Sequence, residues 1–184
     1  VKQISILALG LMLAAGAHAE STRPYISIGL GRASWNIDCS GIATCTRNHS
    51  ALRLVGGLEV SKGLAAELFY TDFGKVTAAD AGATAEVKAH AIGAAMALSA
   101  DFSADWRGVL RLGVASVQAK GTASAFGASD SISKTSIQPL VGLGLSYAIT
   151  PSLLAEAGYE RTRVGLAGEN SNVGLVTLGI GWRF

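Results

Sequence analysis

Residues 135–155 read TSIQPLVGLGLSYAITPSLLA and carry no charge. A run of this length can cross a bilayer as a helix. Its internal order is that of a strand: Val141, Leu143, Leu145 and Tyr147 alternate with Gly142, Gly144 and Ser146. Pro139 and Pro151 sit inside the run, and its two glycines weaken a helix further. ITPS, at 149–152, supplies a turn. The stretch is two strands and a turn.

The same period extends outward in both directions. LVTLGIGWRF (175–184) alternates Val176, Leu178, Ile180, Trp182 and Phe184 with small or polar residues, and YISIGLGRASW (25–35) opens likewise. Strands are expected at about 25–35, 50–60, 64–73, 86–99 and 106–120, then one ending at the 150–152 turn, one over 153–163, and the terminal strand. That makes eight. Three connections are tight, at 61–63, 100–105 and 150–152. The others, at 36–49, 75–85, 121–133 and 164–171, are longer and rich in Gly, Ala, Ser and Asn. Short turns on one side and long loops on the other describe an eight-stranded, antiparallel, up-and-down transmembrane β-barrel, all-β, with its short turns in the periplasm.

The non-apolar strand face decides between this and a soluble barrel that carries an apolar ligand inside. Gly113, Gly142, Gly144, Gly158, Gly179 and Gly181 fall on it. Glycine packs nothing on a watery face but suits a narrow interior where backbones come close. The opposite face carries Leu, Val, Ile and aromatics, as hydrocarbon requires, and closure pairs every backbone group. Trp106, Tyr147, Trp182 and Phe184 lie outward near the short-turn end, with Tyr70 and Tyr159 toward the loops. Two such belts are the girdles of a membrane barrel.

Counting from the turns, Glu59, Glu67, Arg107, Arg111, Glu156 and Arg183 project inward in the periplasmic half. Parity is weaker evidence at Arg53, Glu59 and Glu67, whose strands alternate less cleanly. Charges in a narrow lumen are expected to pair. One reading is a structural ion-pair plug; the other is a gate that rearranges to pass ions through a narrow porin-like channel. Arg161 and Arg163, near the outer end of the seventh strand, either meet lipopolysaccharide phosphates by charge-assisted hydrogen bonds or stand solvated at the rim.

Residues 1–19 carry a cation at Lys2, an apolar stretch from Ile4 to Ala15, and end on Ala17-His18-Ala19. This is the pattern of a secretory signal peptide, leaving 20–184 as one outer-membrane barrel domain. Without Lys2 the chain has fourteen Lys plus Arg against thirteen Asp plus Glu. That near balance gives no electrostatic basis for nucleic acid. Cys39 and Cys45, in DCSGIATC, are expected to form one local disulfide in an exported chain. A metal pair is the alternative, but no His/Cys set with zinc spacing accompanies them.

A serine hydrolase needs His within reach of Ser and an orienting carboxylate. Beyond the leader the histidines are His49 and His90, and no His-x-Ser pair shares a strand face. GLGRAS (29–34) lies in a strand rather than at a strand-to-helix turn, so it does not read as a phosphate loop. No enzyme, metal or cofactor is implied.

The run SISKTSIQPLVGLGLSYAITPSLLAEAGYERTRVG (131–165) resembles the sixth and seventh strands of NspA-like and opacity-type surface antigens. YAITP (147–151), the strand with Tyr159 and the terminal GWRF (181–184) are similar to the membrane domain of OmpA. AELFYTDFG (66–74) matches the third-strand pattern of that superfamily. The resemblance covers the chain after the leader. It implies an outer-membrane surface protein in contact with membrane lipid and lipopolysaccharide, with loops that meet a host or other extracellular ligand. Phe184 resembles the C-terminal signal read by the barrel-insertion machinery. Unlike full-length OmpA, no peptidoglycan-binding domain follows Phe184, so wall tethering is not implied.

Overall fold

In a computed structural model the described residues are 22–36, 40, 44–80, 83–125, 128–166 and 169–184. The strands are β1 (Arg23–Trp35), β2 (Thr44–Cys45), β3 (Asn48–Ser61), β4 (Leu64–Asp80), β5 (Ala83–Asp101), β6 (Trp106–Ala125), β7 (Ala128–Ala148), β8 (Leu153–Leu166) and β9 (Glu169–Arg183). Among the described residues, the two-residue β2 pairs with the outer end of β4. Each of the other eight runs antiparallel to its neighbours, and β9 pairs with β1. The sheet is a closed eight-stranded antiparallel barrel.

Closure requires stagger. A row of paired residues leaving Arg161 on β8 passes Val141, Leu112, Met96, Ala66 and Leu58 and arrives at Pro24 on β1. It starts at the loop end and finishes at the turn end. Strands tilted in this way bring residues far apart in sequence to one level of the interior.

The faces alternate as a lipid-embedded barrel demands. Leu143 is 61% exposed and Leu178 68%, whereas Val55, on the inner face, is 6% exposed. The upper interior is apolar: Trp35, Phe69, Phe73, Val117, Val173 and Leu175 are buried together. Below them, toward the tight turns, lie the charged residues.

The strands on the loop side are longer than expected. Segments 75–85 and 121–133 are mostly strand: β4 and β5 continue to Asp80 and Ala83, and β6 and β7 to Ala125 and Ala128. Segment 164–171 likewise belongs largely to the β8–β9 ladder. Above the bilayer both faces of a hairpin can meet water, so the alternation that marks a membrane strand fades. A bulge adds to this in β4, where the register shifts between Asp72 and Lys75 and Gly74 takes φ +69°. Phe73 and Val76 consequently both face inward, which breaks the odd-in parity of that strand.

Candidate functional site in the barrel lumen and at its rims

Glu67 is the centre of the lower lumen. It is 2% exposed and accepts a hydrogen bond from the Tyr25 hydroxyl at 2.7 Å. Arg111 donates to both its carboxylate oxygens through Nε, at 3.1 and 2.9 Å. A second buried pair, Arg53 and Glu160, meets at 2.5 Å. Arg53 also donates to the Thr71 hydroxyl at 3.2 Å, and its guanidinium lies 4.7 Å from the centre of the Phe69 ring. That cation–π contact joins the charged layer to the apolar layer above it.

Glycines make room for these long side chains. A methyl group at Gly57 would lie 2.1 Å from the Tyr25 ring, and one at Gly142 2.8 Å from Cγ of Glu160. At Gly144 it would come within 3.0 Å of an Arg111 nitrogen. These three lumen glycines are thus complementary to particular side chains, Tyr25, Glu160 and Arg111, beyond a general need for small residues.

The six charges expected to pair inside separate into different surroundings. Glu67 and Arg111 pair with each other. Arg107 turns to Asp101 at the mouth, 2.6 Å away, because the tight β5–β6 turn sets the two strand ends side by side. Glu59, Glu156 and Arg183 line a cavity of about 40 Å³ with Arg107 and Arg111. A second, of about 30 Å³, touches Arg53, Glu156 and Glu160. Among the described residues, Arg53 Nη2 and Glu160 Oε1 are buried without a hydrogen-bond partner. Such cavities hold at most a few waters.

Arg53–Glu160, Tyr25 and Asp101 lie outside the expected charge set. Parity alone finds Tyr25, which shares a face with Ser27 and Gly29. Glu160 also has the inward parity of its strand, but its partner is visible only once the stagger is known.

At the lower rim Trp106 and Tyr147 are cross-strand partners with ring centres 5.0 Å apart. Trp182 also faces outward at this rim, two strands from Tyr147 on β9. Phe184 is 69% exposed, and its backbone donates to the Pro24 carbonyl at 3.1 Å. Tyr159 faces outward at the upper level, with Arg161 and Arg163 exposed above it on the same face. His90 also points outward, 6.2 Å from the Tyr70 ring. His49 lies against Gly74, with Nδ1 3.2 Å from the Ser50 carbonyl. Cys45 is disulfide-bonded, while Cys39 and residues 1–19 lie outside the described residues.

Three comparisons bear on this arrangement. The family model described as the OmpA-like transmembrane domain matches residues 19–184. Neisserial surface protein A is 20% identical, with a TM-score of 0.65 over 88% of this chain and 97% of that one. Ail, the attachment invasion locus protein of Yersinia pestis, is 23% identical, with a TM-score of 0.63 over 89% and 99%. The N-terminal barrel of Pseudomonas aeruginosa OprF is 14% identical, with a TM-score of 0.53 over 88% and 97%. No curated protein matches the sequence. With the closed eight-stranded sheet, its outward apolar face and a family match over nearly the whole chain, the protein belongs to the OmpA-like transmembrane domain family of outer-membrane β-barrels.

Proposed function

We propose that this chain is an outer-membrane surface protein whose barrel is a closed scaffold and whose loop-side extensions make the functional contacts. The filling of the lumen carries the reading. Two buried ion pairs occupy the lower interior, and Trp35, Phe69, Phe73 and Val117 pack above them. The cavities between hold only about 40 and 30 Å³. An ion crossing would have to part both ion pairs and then pass a largely apolar layer, where the Thr71 hydroxyl and the Trp35 indole N–H offer little to replace its hydration.

The remaining assignments follow from that scaffold role. Residues 1–19 act as an export signal removed before insertion, and Phe184 serves as the mark read by the insertion machinery. Loop one, with Cys39–Cys45 as its local clasp, presents a surface to an extracellular partner. The names of two similar barrels, Neisserial surface protein A and the attachment invasion locus protein, support that direction. Arg161 and Arg163 meet lipopolysaccharide phosphates, since both are exposed on the outer wall just above Tyr159. The role is structural and interactive, with no catalytic step.

Planar-bilayer recordings of the refolded chain test the closed scaffold; the expected result is a flat baseline. Stable single-channel events would replace this reading with a narrow channel. Topology is tested with Ser129→Cys and Ala104→Cys on cells. An impermeant maleimide should label the first on intact cells and the second only after permeabilisation.

A further inference from the structure

Three lysines stand in one unbroken cross-strand row on the outer wall. Lys75 on β4 pairs with Lys88 on β5, and Lys88 pairs with Lys120 on β6. Like charges directly opposite one another in a sheet repel and destabilise the pairing. A single carboxylate answers them: Glu86 lies 3.0 Å from Lys75 and 3.0 Å from Lys88. Lys120 has no ion pair among the described residues, and the row ends on Ser133 of β7. Thr77, Thr122 and Ser131, two residues further along the same strands, place hydroxyl groups on the same face just above.

The height of the row identifies what it faces. His90 precedes Lys88 by one rung toward the membrane on the same face of β5, and its ring lies over Tyr70 of the upper aromatic belt. Lys88 therefore sits roughly 5 Å beyond His90 and roughly 10 Å beyond Ile92, the strand partner of Tyr70, at two and four residues of a tilted strand. Because paired rows slope across the barrel, Lys75 is the lowest of the three and Lys120 the highest. The cations climb away from the hydrocarbon boundary instead of lying along it. A flat layer of simple phospholipid headgroups would reach only the lower end. A phosphorylated saccharide headgroup is thick enough to meet all three.

We propose that Lys75, Lys88 and Lys120 form a binding site for the phosphate groups of an outer-leaflet glycolipid. An anion between Lys88 and Lys120 relieves the repulsion that Glu86 leaves unanswered and accepts hydrogen bonds from the hydroxyls above. The site is separate from Arg161 and Arg163, which lie on β8, two strands beyond Lys120. It rests on the outer-membrane reading of the barrel, but not on those arginines.

The test uses the full chain folded in zwitterionic detergent micelles and titrated with fluorescent diphosphoryl lipid A. Folding of each variant is checked by its gel mobility before and after boiling. The Lys88→Gln/Lys120→Gln pair should weaken binding about tenfold, as expected for lost charge-assisted contacts, while Lys88→Arg/Lys120→Arg should retain it. Removing the lipid phosphates should weaken wild-type binding to a similar extent. Unchanged binding in the glutamine pair, or equal binding of the dephosphorylated lipid, would overturn the proposal. So would tighter binding of soluble dextran sulfate, lost in the glutamine pair, which assigns the row to a soluble polyanion. Arg161→Gln/Arg163→Gln tests the other site alone, so either assignment can fail while the other stands.

Discussion

Arg111 grips Glu67 with its Nε 2.9 Å from one carboxylate oxygen and 3.1 Å from the other, in an interior where the two residues are 8% and 2% exposed. Tyr25 completes the carboxylate's partners from the opposite wall. Glu67→Ala should therefore cost more than Glu67→Ala/Arg111→Met, because the single change leaves a buried guanidinium without its counter-ion. The expected loss is about 3 kcal/mol for the single variant and clearly less for the double. Urea midpoints in lipid vesicles check it. Equal losses would mean that the pair acts only as filler.

Gly57 has no freedom to grow. A side chain there enters the space of the Tyr25 ring, since even a methyl would sit 2.1 Å from it. Gly57→Val should destabilise the barrel by about 1–3 kcal/mol, the range for overpacking. Tyr25→Ala in the same chain should restore part of the folded fraction, read as the heat-modifiable band on a gel. Absence of any rescue would place the strain elsewhere.

Glu86 lies outside the membrane, and hydrogen bonds from Lys75 and Lys88 hold its carboxyl below the ordinary carboxylate value. A group depressed on folding adds stability above its unfolded pKa and loses it as pH falls through the folded pKa. Wild type should therefore exceed Glu86→Gln in urea midpoint at neutral pH, with the gap closing in acid. Asp101, held low by Arg107 at the other mouth, titrates in both chains and drops out of the comparison. A gap independent of pH would show that the carboxylate charge is not what matters.

How much of this was legible in the sequence depends on where each strand lies. Val141 to Tyr147 and Val176 to Trp182 declare their faces because one side must be apolar and the other must fit a narrow lumen. Above the bilayer that demand ends, so the outer parts of β4 to β7 read as loops although they are paired strands. Glu67 and Arg111 could be placed inside by parity, but Arg53 meets Glu160 through the stagger of the closed sheet, which no local pattern encodes. Arg107 was legible as inward-facing, while its partner Asp101 depended on the geometry of the turn.

The three tryptophans can test which side of the wall meets lipid. Trp106 and Trp182 are 48% and 47% exposed on the outer face, whereas Trp35 is 5% exposed among the packed residues of the lumen. Chains retaining one tryptophan each, the others changed to Phe, should respond differently to lipids brominated along their acyl chains. Bromine near the headgroup end should quench Trp106 and Trp182 several-fold more than Trp35. Bromine near the chain terminus should quench those two less, because they stand in the lower girdle, where Trp106 packs on Tyr147, rather than at the bilayer centre. Strong quenching of Trp35 with sparing of Trp106 would require the two faces to be exchanged, and no arrangement of the buried ions of Glu67, Arg111, Arg53 and Glu160 could then be kept out of hydrocarbon.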